Sequence, residues 1–198
     1  MVDAMTLALV ELMPCVCVLA VVVVPLLWAI AMYNSLVRAR QHVREAWSQI
    51  DVELKRRYGL IPNLVETVKG YAKHERETLE LALQARNQAF ANRDGSPNDQ
   101  ARDENEMILA LGRLLAIAEA YPDLKADRHF LELQRELANT ENRIQRVRRF
   151  YNGNVRDLNT KVQVVPTNLF AGMFGFAQAE YFEIDEAVRR PVEVDWGD

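Results

Sequence analysis

Residues 124–165 read LKADRHFLELQRELANTENRIQRVRRFYNGNVRDLNTKVQVV. Within them Phe130, Gln134, Leu137, Glu141, Ile144, Arg148, Tyr151, Val155, Leu158, Val162 and Val165 recur at alternating intervals of four and three. That spacing is the heptad seam of a helix packed on other helices. Pro166 ends it. From Leu124 to Val165 such a helix is ~63 Å long at ~1.5 Å per residue. Gln134, Glu141 and Arg148 occupy one seam position in successive heptads. Two registers fit. Either these polar side chains lie in the seam, costing stability but fixing register, or the core shifts by one position onto Leu133 and Val147 and the three face water.

Upstream, Leu36, Val43, Trp47, Ile50, Leu54 and Ile61 fall on one helical face. Gly59 and Pro62 interrupt this run, which predicts a break or tight turn there. Asn63 stands three residues before Glu66, as at the start of a capped helix. A second stripe follows: Leu64, Val65, Val68, Tyr71, Leu79, Leu83 and Phe90. Asp94-Gly95-Ser96-Pro97-Asn98 reads as a loop. A third helix carries Met107, Ile108, Leu111, Leu114, Leu115 and Ala118 and is expected to end near Tyr121-Pro122.

Ahead of these helices, Met13 to Met32 are twenty consecutive apolar positions, MPCVCVLAVVVVPLLWAIAM. As helix they extend ~30 Å, the thickness of the hydrocarbon core of a bilayer. A buried core helix rarely lacks a polar face over such a length. A cleaved leader is disfavoured by the length of the run and by the lack of Lys or Arg before it. Twenty residues are too few to enter and leave a bilayer as helix, so Pro14 and Pro25 predict at most a kink near Pro25. Arg38, Arg40 and Arg44 follow the run and set the orientation: N-terminus outside, the remainder cytoplasmic. Trp28 and Tyr33 stand where aromatic side chains favour the interface.

The fold expected is all-α: a single N-terminal transmembrane helix, then an antiparallel, up-and-down bundle of about four long helices. The organisation is a tail over 1–12, the span over 13–33, the bundle over 34–182 and a loosely ordered acidic tail over 183–198. There is no β-pattern of useful length, no internal repeat and no Gly-rich phosphate loop.

Composition narrows the chemistry. With 24 basic and 28 acidic residues the net charge is −4, which gives no electrostatic case for nucleic acid. Cys15 and Cys17 lie inside the apolar run, so the remainder has neither a disulfide framework nor a thiolate zinc site. His42, His74 and His129 each stand alone: no HExxH occurs, and no Glu stands three residues before any of them as a Glu-x-x-His motif needs. Ser35, Ser48 and Ser96 are in no nucleophile-elbow context. No catalytic residue, cofactor site or metal site is expected.

The least ordinary segment follows the long helix. Leu169, Phe170, Met173, Phe174 and Phe176 are set among two glycines and carry no charge. Three roles compete: a cover for the end of the bundle, a shallow insertion into the bilayer, or a docking patch for a partner. Helix parity bears on the second. If four helices alternate in direction and the first leaves the membrane, the fourth returns toward it.

Several blocks resemble the LemA family. They are Tyr33-Asn34-Ser35-Leu36-Val37, Glu45 to Val52, Leu54 to Tyr58 and Leu60 to Tyr71, then Tyr121 to Asp127, Glu141 to Ile144, Arg148 to Asn152 and Pro166 to Leu169. The resemblance runs in order from about Tyr33 to Phe182. It implies a bacterial cytoplasmic-membrane protein with one N-terminal span and a cytoplasmic bundle of long helices. It brings no catalytic residue or cofactor. Family members are often encoded beside other membrane proteins, which hints at a role in assembly. The function expected is a non-enzymatic scaffold that binds the bilayer through Met13 to Met32. Its partners would be proteins, among them other membrane proteins or a second copy of itself. The rival readings are lipid sensing or remodelling through the Phe/Met segment, and an enzyme with an unfamiliar site.

Overall fold

The computed structural model describes the backbone of residues 2–185 and the side chains of residues 19–185. Six helices follow in order: α1 (Val2–Tyr71), α2 (Arg76–Ala91), α3 (Pro97–Ala120), α4 (Pro122–Ala126), α5 (Arg128–Gln163) and α6 (Thr167–Met173). No strand occurs among the described residues. The chain divides into two compact units. The first joins α1 up to His42 with Arg156–Gln178, and the second comprises Val43–Val155 and the segment from Ala179 on.

In the second unit α1, α2, α3 and α5 are the four long helices of the expected bundle. Contacts between α1 and α5 give their direction: Trp47 meets Tyr151, Arg57 meets Glu141, and Tyr71 meets Asp127. The α1 number rises as the α5 number falls, so the two are antiparallel. Ile50, Leu54, Ile61, Leu64, Met107, Leu114, Phe130 and Ile144 are buried between the helices. The core of α1, α3 and α5 is therefore supplied largely by the apolar stripes that the spacing identified, whereas Tyr71 and Phe90 of the second stripe are exposed and α2 buries Leu79 together with Ala82 and Ala89.

The expected break at Gly59 and Pro62 is absent. α1 runs past both, and Asn63 is an interior residue, not a cap. Proline inside a helix removes the N–H that would bond the carbonyl four residues back, here that of Tyr58. Arg86 of α2 fills the vacancy, its Nε donating to the Tyr58 carbonyl at 3.1 Å. A partner from another helix thus satisfies the group that Pro62 leaves unpaired. The chain turns instead at Ala72–Glu75, where Ala72 is fully buried and the Glu75 N–H donates to the Ala72 carbonyl.

The loop at 94–98 is shorter than expected, because α3 begins at Pro97. Ser96 is its N-cap, accepting from the Asp99 N–H at 3.2 Å, with Pro97 in the first turn. Gly95 is required just before it. A Cβ there would lie 2.9 Å from the Asn92 carbonyl oxygen, to which the Gly95 N–H donates.

The long helix starts later than Leu124. Tyr121-Pro122 ends α3 as expected, but α4 intervenes and Asp127 opens α5. Its carboxylate accepts from the Phe130 N–H at 2.8 Å and from the Tyr71 hydroxyl at 2.9 Å. α5 also stops at Gln163, so Val165 lies beyond it and is exposed. Both seam registers are partly realised. Gln134 faces water, whereas Glu141 is engaged by Arg57, and Arg148 donates to the Ile184 carbonyl. Leu133 and Val147 are only half-buried.

Arg57 is completely buried at the centre of this unit, between Glu104 of α3 and Glu141 of α5. The Tyr58 hydroxyl donates to Glu104 and accepts from the Gln100 amide at 2.8 Å. Burial pushes the Tyr58 phenol up to about 12, so it stays protonated at neutral pH and remains a donor. Beside it, Asp103 accepts from Gln88 at 2.9 Å and Asn92 at 2.8 Å, fastening α2 to α3.

The extended segment after α6 also belongs to this unit from Ala179. Asn152 grips Phe182 with both ends of its amide, donating to its carbonyl at 3.1 Å and accepting from its N–H at 3.0 Å. The Tyr151 hydroxyl donates to the Glu180 carbonyl. Phe182 and Ile184 are buried. Residues 183–185, assigned from sequence to a loose tail, continue this packed segment. The rest of that tail lies outside the described residues, as do the side chains of residues 1–18.

Three tests follow from this packing, each read by unfolding of the intact chain in mild detergent. Arg86→Met should cost about 1–3 kcal/mol by orphaning the Tyr58 carbonyl, and clearly less in a Pro62→Ala background, where a helix N–H is restored. Additivity of the two changes would contradict the compensation. Arg57→Met should lower stability by roughly 3–5 kcal/mol, because two carboxylates lose their shared partner. The Asp127 carboxyl is held below its ordinary 3.8, chiefly by the Phe130 N–H and then by Tyr71. It therefore binds its proton more weakly folded than unfolded, and its stabilisation is full above 3.8 and lost as pH falls through the lowered value. Asp127→Ala should lower the melting midpoint at pH 7, and the deficit should close in strong acid.

Candidate functional site

Two surfaces carry chemistry that the cores do not use. The first is in the first unit, where the long helix gives way to α6. The Val165–Pro166 peptide is cis, and the Asn168 N–H donates to the Val164 carbonyl as the chain turns. α6 ends in a Schellman motif: Gly175 has φ +68°, and the Phe176 N–H reaches back to the Ala171 carbonyl at 2.9 Å. Only glycine takes that φ without strain. The turn returns the Phe176 ring to Ala171 and Leu36, a small apolar core bordered by Val37, Val162 and Phe170.

This places the five aromatic and aliphatic residues singled out from sequence. Phe170 meets the Trp28 ring edge-on at 5.7 Å, and Phe174 meets Tyr33 at 4.9 Å. Phe176 is buried, also beside Tyr33. Leu169, Met173 and Phe174 remain exposed, at 66, 75 and 51%. The segment thus lies against the last turns of the apolar run, and only its inner face serves as a cover.

The three orientation arginines do not share one environment. Arg38 and Arg44 are exposed. Arg40 is half-buried, with its guanidinium 4.6 Å from the centre of the Phe176 ring. It is a packing residue as well as a charge.

The second surface escaped the sequence reading. On α5, in the second unit, Asn139, Asn142, Arg143, Gln145, Arg146 and Arg149 line a shallow, open polar groove. Arg143, Arg146 and Arg149 are exposed, and none has an ion-pair partner among the described residues. The signal in the sequence is Asn142-Arg143 and Arg149, which alternate with the seam residues Glu141, Ile144 and Arg148 and so fall on the outer side of the helix. Guanidinium and amide groups at this spacing can grip carboxylates or other oxyanions bidentately. No titratable acid, histidine or nucleophile lines the groove. Among the described residues no cluster of His, Cys, Asp or Glu could hold a metal ion.

Comparison with known proteins follows the same helices. The family model described as LemA family matches residues 46–196. The chain belongs to the LemA family. The matched range begins after the apolar run, so Tyr33 to Val37 fall outside it, and it extends past Phe182. Protein LemA of Metamycoplasma hominis is 28% identical over 162 residues, covering 82% of this chain and 73% of that protein. Magnetosome protein MamQ 2 of Paramagnetospirillum magneticum is 25% identical over 184 residues, covering 81% and 68%. Magnetosome protein MamQ of Magnetospirillum gryphiswaldense is 24% identical with the same coverage. The names of these relatives state no reaction. Among the described residues one helix, within α1, is long and apolar enough to cross a membrane, and that stretch is almost wholly unburied.

Proposed function

We propose that this LemA-family chain is a non-enzymatic, membrane-anchored interaction protein. Its span locates the bundle, and the outer face of α5 recruits a protein partner. The asymmetric arginines support an N-terminus outside and a cytoplasmic bundle at a bacterial cytoplasmic membrane. The observation that carries the reading is the α5 groove. Three exposed arginines there have no partner within the described chain, and amides interleave them. Arginine on one helix face suits an acidic surface on another protein, because each planar fork takes a carboxylate through two hydrogen bonds. The partner is accordingly an acidic segment of another membrane protein or of a second copy.

The test is a photocrosslinking residue at Asn142 of the intact chain in cells, with Arg102 on α3 as control. An adduct at 142 that disappears in the triple change Arg143→Glu, Arg146→Glu, Arg149→Glu is expected, with membrane fractionation and melting unchanged. Its mass separates self-association from a different partner. No adduct at 142, or one that survives charge reversal, contradicts the proposal.

A further inference from the structure

We infer that α6 is a second, shallow membrane contact: Leu169, Met173 and Phe174 enter the leaflet from which the span emerges at Met32. Depth is the first argument. Phe170 packs on Trp28, four residues inside the end of the apolar run, and Phe174 packs on Tyr33, the first residue past it. Four residues of helix are ~6 Å. With Met13 to Met32 filling the hydrocarbon, the Phe170 ring lies at the boundary between acyl chains and headgroups. Interfacial helices bury their apolar faces about 5–10 Å into that zone.

The second argument is the state of the two faces of α6. The inner face is already packed, with Ala171 and Phe176 buried on Leu36. The Schellman turn fixes it there. The outer face is therefore not a displaced piece of core. Yet it presents Leu169, Met173 and Phe174, extended by the exposed Val164 and Val165. The chain carries no charge from Gln163 to Gln178. A segment meant for water seldom runs so far without one, whereas the acyl boundary excludes charge.

The third argument names the occupant. A face packed onto the end of a span is already at the bilayer, and any protein covering it must first displace lipid. Arg38, exposed about one turn past Tyr33, is placed for headgroup phosphates. The contact puts apolar volume into one leaflet on one side of the span. It involves none of the α5 arginines, so it stands or falls separately from the partner surface.

The test uses the full chain with Cys15→Ala and Cys17→Ala, reconstituted in phosphatidylcholine–phosphatidylglycerol vesicles. A nitroxide is attached through Met173→Cys or, as control, Arg102→Cys. At 173, relaxation by oxygen should exceed that by a water-soluble nickel chelate severalfold, and the order should reverse at 102. Adding Leu169→Ser and Phe174→Ser should raise nickel access at 173 severalfold while the span keeps the protein in the vesicles. Leu169 is exposed and Phe174 gives up only its edge contact with Tyr33, and an unchanged helical circular dichroism spectrum checks the fold. Equal nickel access at 173 and 102 overturns the inference, because the segment is then in water. Shielding from both reagents also overturns it: with spin–spin broadening a second copy covers the face, and without it another protein surface does.

Discussion

A guanidinium with no exposed surface lies at the middle of the second unit, and the helices around it are set by what holds it. Removing such a charge from water costs several kcal/mol. Arg57 recovers this only because Glu104 and Glu141 approach from two different helices. Glu104 is itself fully buried and takes the Tyr58 hydroxyl as a second donor. The geometry permits little sliding. Moving α5 one turn along α1, ~5.4 Å, would carry Glu141 away and leave the guanidinium with a single carboxylate. The consequence is a fixed register among α1, α3 and α5, marked along α1 and α5 by Trp47 with Tyr151 and by Tyr71 with Asp127.

The same logic of unpaired groups explains the proline. Pro62 breaks the hydrogen-bond ladder of α1, yet the helix continues, because Arg86 bonds the carbonyl that the proline abandons. The adjoining Tyr58 side chain joins the Arg57 network. Main chain and side chain of one residue are thus satisfied by different helices. A helix can cross a strong breaker when its neighbours complete what the breaker removes.

In the first unit a glycine does comparable work. Gly175 supplies a left-handed turn that folds Phe176 under α6 and leaves Leu169 and Met173 outside. The segment is divided into a packed face and an apolar outer face. The packed face carries Arg40 over the Phe176 ring, which ties a residue first read as an orientation charge to the aromatic cluster.

Periodicity and composition determined the all-α class, the apolar run and the apolar faces of the long helices. Burial of a repeating stripe depends only on which residues recur at helical spacing. The Tyr121-Pro122 boundary was legible for a similar reason, since pre-proline sterics act within a few residues; the Ser96 cap, read only as part of a loop, was not. What else failed depended on a distant partner. The break expected at Pro62 required ignorance of Arg86. Asp127 as the start of α5, the pairing of Glu141 with Arg57, and the grip of Asn152 on Phe182 join residues far apart in the chain. The aromatic segment divides along the same line. Its residues were visible as a charge-free cluster, but only the tertiary structure decided which of them are buried against Leu36 and which face outward beside Trp28 and Tyr33. Local sequence fixes what each stretch can become, and packing selects among the outcomes because a buried polar group must find its partner wherever the fold puts one.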